Sequence, residues 1–157
     1  MRAGAAGRAA PECKTVPSRN LIAKLKGFFP VSHELRTDLN QLARERETYE
    51  AGDAIIRSGD KFAHLYLIED GWVLRARYLP GGSRQIINFA LPGDFLNFNS
   101  LMFTRSEFDL IAKTNVSLWR LEVKSFREMM ARHPGLAEAL VWSNAHEEAL
   151  LAERVVS

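Results

Sequence analysis

Gly52, Gly59, Gly71, Gly81, Gly82 and Gly93 recur roughly every ten residues through the middle of the chain, the spacing of turns between short strands in an all-β sandwich or barrel. The segments between them are short and either apolar or alternating, which is the period of strands. The clearest run, HLYLIEDGWVLRARYLPGGSRQIINFAL, predicts strands over 64–69, 72–79 and 84–90, joined by a tight turn at Asp70-Gly71 and a Pro-Gly-Gly turn at 80–82. In its middle strand Trp72, Leu74, Ala76 and Tyr78 share one face. Arg75 and Arg77 point the other way, onto a face expected to be solvated. A last strand pair is predicted near 110–113 and 116–120.

Helical spacing flanks this region on both sides. In SHELRTDLNQLARE, Leu35, Leu39 and Leu42 fall at i, i+4 and i+7, with Ser32 placed as an N-cap and Glu34 in the positive first turn. A shorter helix is predicted over 21–26, stopped by Gly27 and Pro30. Residues 1–20 are small, basic and interrupted by Pro11 and Pro17, so they read as a poorly ordered tail. After the strands, Phe126, Met129 and Met130 mark a short helix that must end at His133-Pro134, because the residue before a proline is driven out of the α region. Residues 135–157 then run to the terminus without a breaker and predict one long helix. On it Val141, Ala145, Ala149 and Ala152 form a narrow stripe, flanked by Leu140 and Leu151, through which two copies of the chain are expected to pair. The expected organisation is a tail over 1–20, a β-roll over 21–134 and a dimerisation helix over 135–157.

Composition narrows the chemistry. With 157 residues, 46% hydrophobic and 25% charged, the chain suits one folded domain. Its net charge of +2 comes from dispersed basic residues, so it carries no electrostatic footprint for DNA. A single cysteine, Cys13, excludes an internal disulfide and suits a reducing compartment. No apolar run reaches the roughly 20 residues of a membrane span, and residues 1–20 lack a signal-peptide core. A cytoplasmic protein without membrane contact is expected. A metal-dependent cupin-type enzyme is the main rival for a β-roll, but His33, His64, His133 and His146 are scattered and only His64 falls among the strands. Nucleophile elbows and phosphate-cradling glycine loops are missing from the sequence. No catalytic residue, metal site or cofactor is therefore assigned, and the chain reads as a sensor and interaction module.

Tyr49, Gly52, Ile55, Gly59, Leu65-Tyr66, Ile68, Gly71, Val73, Gly82, Leu91 and the triplet Gly93-Asp94-Phe95 stand in an order that resembles the effector domain of the Crp/Fnr family of bacterial transcription regulators. The resemblance covers most of the chain from Leu21 onward. It implies a mainly β fold with flanking helices: a cyclic-nucleotide-binding-like β-roll, akin to a jelly roll or cupin-like double-stranded β-helix, with N-terminal helices and a long C-terminal dimerisation helix. It further implies a homodimer that contacts DNA through a helix-turn-helix domain beyond Ser157, with RNA polymerase as a further possible partner. A stand-alone regulatory module of the same fold, acting on a partner without DNA, is the alternative.

The segment over 91–114, LPGDFLNFNSLMFTRSEFDLIAKT, is where such domains hold their ligand. Family members that bind cyclic AMP carry Gly-Glu for the ribose and Arg-Ser for the cyclic phosphate. Counted from Gly93, the Gly-Glu places hold Asn97 and Phe98; counted back from Ala112-Lys113-Thr114, the Arg-Ser places hold Ser106 and Glu107, with Arg105 one position off. The candidate pocket residues are thus Phe95, Asn97, Phe98, Asn99, Ser100, Arg105, Ser106 and Glu107, and tight cyclic AMP binding is not expected. Phe95, Phe98, Met102, Phe103 and Phe108 are expected either to fill the cavity themselves, the favoured reading, or to line an apolar pocket for an unknown small effector.

Overall fold

The computed structural model describes residues 8–9, 19–25, 30–101 and 104–143, leaving aside the side chains of residues 8, 9, 99 and 100. A two-residue strand β1 (Arg8–Ala9) precedes helices α1 (Arg19–Leu25) and α2 (His33–Leu42). Seven strands follow: β2 (Glu45–Tyr49), β3 (Ala54–Ile56), β4 (His64–Asp70), β5 (Val73–Tyr78), β6 (Arg84–Ala90), β7 (Asp109–Ala112) and β8 (Val116–Glu122). Helix α3 (Val123–Arg132) closes the roll, and α4, described over 136–143, leaves it.

Two antiparallel sheets are formed, in the orders β1-β2-β8-β4 and β3-β7-β5-β6. Between them lies one core, in which Ile68, Val116 and Leu118 of the first sheet meet Val73, Leu110 and Ala112 of the second. A second core covers the other face of the first sheet, where Leu65, Leu67, Trp119 and Leu121 pack under Leu21 and Leu25 of α1, Leu35 and Leu39 of α2, and Phe126 and Met129 of α3. Each fully buried leucine contributes about 1.5–3 kcal/mol, so the two cores together set the architecture.

Helix α2 forms as its spacing predicts. Leu35 and Leu39 are buried, Leu42 is half-buried, and the Leu35 amide donates to Ser32 Oγ at 3.1 Å. Helix α3 likewise buries Phe126 and Met129 and ends at His133. There the imidazole Nε2 donates to Asp38 of α2 at 2.6 Å, so the turn into α4 is tied back to the first helical layer. Arg132 Nε lies 3.5 Å from the same carboxylate.

Three regions add to the sequence reading. Among the first 20 residues, Arg8 and Ala9 pair with Thr48 and Glu47, and α1 begins at Arg19. Helix α1 stays in place because Asn20 Nδ2 donates to the Glu69 carbonyl at 2.7 Å and Lys24 pairs with Asp94. The faces of β5 alternate as expected, but the side carrying Arg75 and Arg77 also carries Val73 of the roll core, so that Arg75 is half-buried while Arg77 stays exposed; on the other side Leu74 and Ala76 are buried and Trp72 and Tyr78 exposed. Alternation assigns residues to faces without saying which face the second sheet will cover. Finally, the long helix is described only through residue 143. Leu140 packs into the chain's own helical core, Val141 and Trp142 are 58% and 61% exposed, and Ala145, Ala149, Leu151 and Ala152 lie outside the described residues.

Gly71 turns β4 into β5 with φ +89°, and a Cβ there would come within 2.2 Å of the Asn115 carbonyl oxygen. Gly71→Ala is therefore expected to destabilise the domain by roughly 2 kcal/mol or more, read from its urea midpoint. The hydrogen bond from His133, helped by the Arg132 charge and opposed by burial, holds the Asp38 carboxyl below its usual range. A depressed carboxylate stabilises the fold above its unfolded pKa, about 4, and loses that contribution as pH falls through its folded value. Thermal melts across the acid range should show a shallower loss of stability in Asp38→Asn than in the parent, at the cost of lower stability near pH 7.

Candidate functional site

The ligand-segment residues separate into two groups. At one end, Phe95 joins the core beneath the helices: its ring lies 5.3 Å from Phe126 and 6.0 Å from Phe98. Phe98 opens a 3-10 turn (Phe98–Leu101) and is half-buried against that same core. These rings therefore fill space outside the first sheet. The roll interior is closed instead by strand residues with Leu96, and Phe108 packs against that core. The side chains of Asn99 and Ser100, and all of Met102 and Phe103, lie outside the described residues.

Asn97 is 2% exposed, and its amide is used twice on the backbone of β4. Its Oδ1 accepts from the Tyr66 amide at 3.0 Å, and its Nδ2 donates to the His64 carbonyl at 2.8 Å. Such a side chain completes a sheet edge that would otherwise leave buried polar groups unpaired, a cost of about 1–3 kcal/mol each.

At the other end, Arg105, Ser106 and Glu107 pack on the β3–β4 connection. Arg105 Nη1 donates to the Gly59 carbonyl at 2.8 Å. Ser106 is buried, its Oγ donating to the Phe108 carbonyl at 2.6 Å and accepting from the Phe108 amide at 3.2 Å. Glu107 is exposed, with one oxygen 3.7 Å from Arg77, whose guanidinium stacks 4.9 Å from the Phe108 ring. The space left beside Phe95 and Phe98, against Leu21, Lys24 and Leu140, is about 10 Å³. A single water needs about as much, and small-molecule sites run to hundreds of Å³.

A larger groove, about 270 Å³, opens on the outer side of the second sheet between Ala54, Arg57, Ser58, Tyr78, Asp109 and Ile111. Only its Asp109 and Ile111 belong to the 91–114 segment. The Asp109 carboxylate is already held there by the Ser58 amide at 2.7 Å.

Sequence reasoning missed two polar features. Arg75 reaches inward to the segment: its Nη2 donates to the carbonyls of Phe95 at 3.0 Å and Leu96 at 3.1 Å. Tyr49 donates to Glu47 at 2.9 Å, and burial, followed by that hydrogen bond, raises its phenol well above the ordinary range. The inward parity of Arg75 with Val73 was the available signal for the first. Among the described residues no group of three or more His, Cys, Asp or Glu side chains could hold a metal ion.

Residues 46–133 match the cyclic nucleotide-binding domain family. Among curated relatives, the chain is 30% identical over 110 residues to the transcriptional activator protein FnrL of Cereibacter sphaeroides, covering 70% of this chain and 43% of that protein. It is 31% identical over 103 residues to the nitrogen fixation regulation protein FixK of Bradyrhizobium diazoefficiens, covering 66% of this chain and 42% of that one. The chain thus spans less than half the length of these relatives. In fold it is similar to the catabolite activator protein of Thermus thermophilus, with a TM-score of 0.66 at 24% identity over 85% of this chain and 62% of that one. It is also similar to the sensor domain of the transcriptional regulator DNR from Pseudomonas aeruginosa, with a TM-score of 0.65 at 19% identity over 89% and 91% of the two chains. The roll, its spaced glycine turns and these matches together make the chain a member of the cyclic nucleotide-binding domain family, of the Crp/Fnr regulator type.

Proposed function

We propose that this chain is the sensor domain of a Crp/Fnr-type transcription regulator, that it passes a signal to an attached helix-turn-helix domain, and that the signal is not cyclic AMP. The relatives' names support the regulatory role, since FnrL is an activator and FixK a regulator. The observation that carries the ligand reading is the engagement of the segment's polar groups by backbone. Asn97 serves β4, the Ser106 hydroxyl serves Phe108, and Arg105 holds Gly59. Counted back from Ala112-Lys113-Thr114, Glu107 stands at one of the two phosphate places of the resembled family, where its carboxylate would repel an anion. An incoming nucleotide would have to break those bonds and would find two charge-assisted contacts missing, each worth roughly 1.5–3 kcal/mol.

In this reading the domain is a regulator and not an enzyme, and it acts as a homodimer. Exposure of Val141 and Trp142 on α4 supports a partner helix there, and the sequence stripe continues through Ala145, Ala149 and Ala152, with Leu151 beside it. Leu140 is taken up by the chain's own core, so the pairing face is narrower than the sequence alone suggests. DNA recognition belongs to the attached domain, because this chain's near-neutral charge offers little phosphate neutralisation.

Calorimetry on the full chain should show cyclic AMP and cyclic GMP binding weaker by about a hundredfold to ten-thousandfold than in a domain making both contacts. Micromolar binding abolished by Arg105→Ala would overturn the reading. Sedimentation should show a dimer that Val141→Asp dissociates; a monomer at high concentration, unchanged when the downstream domain is attached, would rule out the α4 interface.

A further inference from the structure

We propose that Arg75 is a positioning residue that locks residues 95–101 to β5 and thereby sets the seat of α3. Arg75 pairs with Asn88 and Ala76 with Ile86, so β6 carries one extra residue, Ile87, at a bulge. A bulge re-aims the side chains around it. Here it leaves Asn88 directly opposite Arg75, and Arg75 Nη1 donates to Asn88 Oδ1 at 3.3 Å.

The rest of the guanidinium is directed at the segment. Nη2 donates to the Phe95 and Leu96 carbonyls, and Nε lies 3.3 Å from the Leu96 carbonyl. Leu96 is meanwhile bound from the other side, its amide donating to the Tyr66 carbonyl of β4 at 2.8 Å. One residue therefore joins the two sheets, its amide held by the first and its carbonyl by a side chain of the second. A planar fork with several donors can hold two neighbouring carbonyls at once, whereas a lysine ammonium offers a flexible point charge.

From the locked segment the contact passes to α3. The Phe95 ring packs edge-on to Phe126, and the Arg127 guanidinium donates to the Leu101 carbonyl. The chain of contacts runs from the β5–β6 hairpin through Arg75 to the segment and on to the helix that precedes α4. As a regulatory device this rests on the proposed sensor role. The lock itself does not, and is measured without any ligand.

Hydrogen exchange on the full chain tests it, comparing Arg75→Met, which keeps an unbranched apolar stem and loses every donor, with Arg75→Lys and Asn88→Ala. In Arg75→Met the amides of 95–101 should exchange about tenfold faster, those of α3 should follow, and those of β8 should stay within about twofold. Arg75→Lys should recover part of the protection, and Asn88→Ala should lose a smaller part. Unchanged exchange over 95–101 in folded Arg75→Met overturns the proposal, as does a rise shared equally by β8, which would make Arg75 a general stabiliser. Should Arg75→Met not fold, the same two outcomes are read from Arg75→Lys.

Discussion

β8 buries both of its faces. Val116 and Leu118 look into the roll, while Trp119 and Leu121 look out beneath three helices. A strand in that position belongs to two cores at once, and its partners on either side, β2 and β4, must match its register. Shifting that register by one residue would exchange the two sets of side chains and damage both cores together. The helical layer is thus bound to the roll through shared strand residues.

The same economy governs the segment between Gly93 and Asp109. A connection this long would expose or bury many backbone polar groups, and buried ones must be paired. Asn97, Ser106, Arg75 and Arg105 each pair with backbone, at β4, Phe108, Phe95–Leu96 and Gly59 respectively. Polar side chains used in this way tie the segment to the backbone around it. Gly93 adds a constraint of its own: with φ +91°, a Cβ there would come within 2.8 Å of the Asn20 carbonyl oxygen, so α1 can lie against the turn only over a glycine.

Much of this was legible in the residues. Ser32, Leu35 and Leu39 announce α2, and Phe126 and Met129 announce α3 with its stop before Pro134. Every spaced glycine from Gly52 to Gly93 has a positive φ at a predicted turn. These features depend on neighbours a few residues away, whose geometry follows from dihedral preference and side-chain period. The pairing of Arg8 and Ala9 with β2 was not legible, because a two-residue strand has no period to read. Nor was the role of Asn97, since a buried asparagine and a ligand-binding one look alike until the partners 31 and 33 residues earlier are placed beside it.

The candidate site shows where that boundary falls. By itself the sequence determined which charges the 91–114 segment carries, Asp94, Arg105, Glu107, Asp109 and Lys113, because the identity and order of residues settle which charges exist. It also determined that Arg75 and Arg77 share a face with Val73, because strand side chains alternate with period two. Only the tertiary structure decided that this face is the interior of the roll, that Arg75 ends on the Phe95 and Leu96 carbonyls, and that Leu140 serves the chain's own core. Those outcomes follow from which sheet or helix closes over each face, and that choice is made by packing between residues far apart in the chain, where no local pattern reaches.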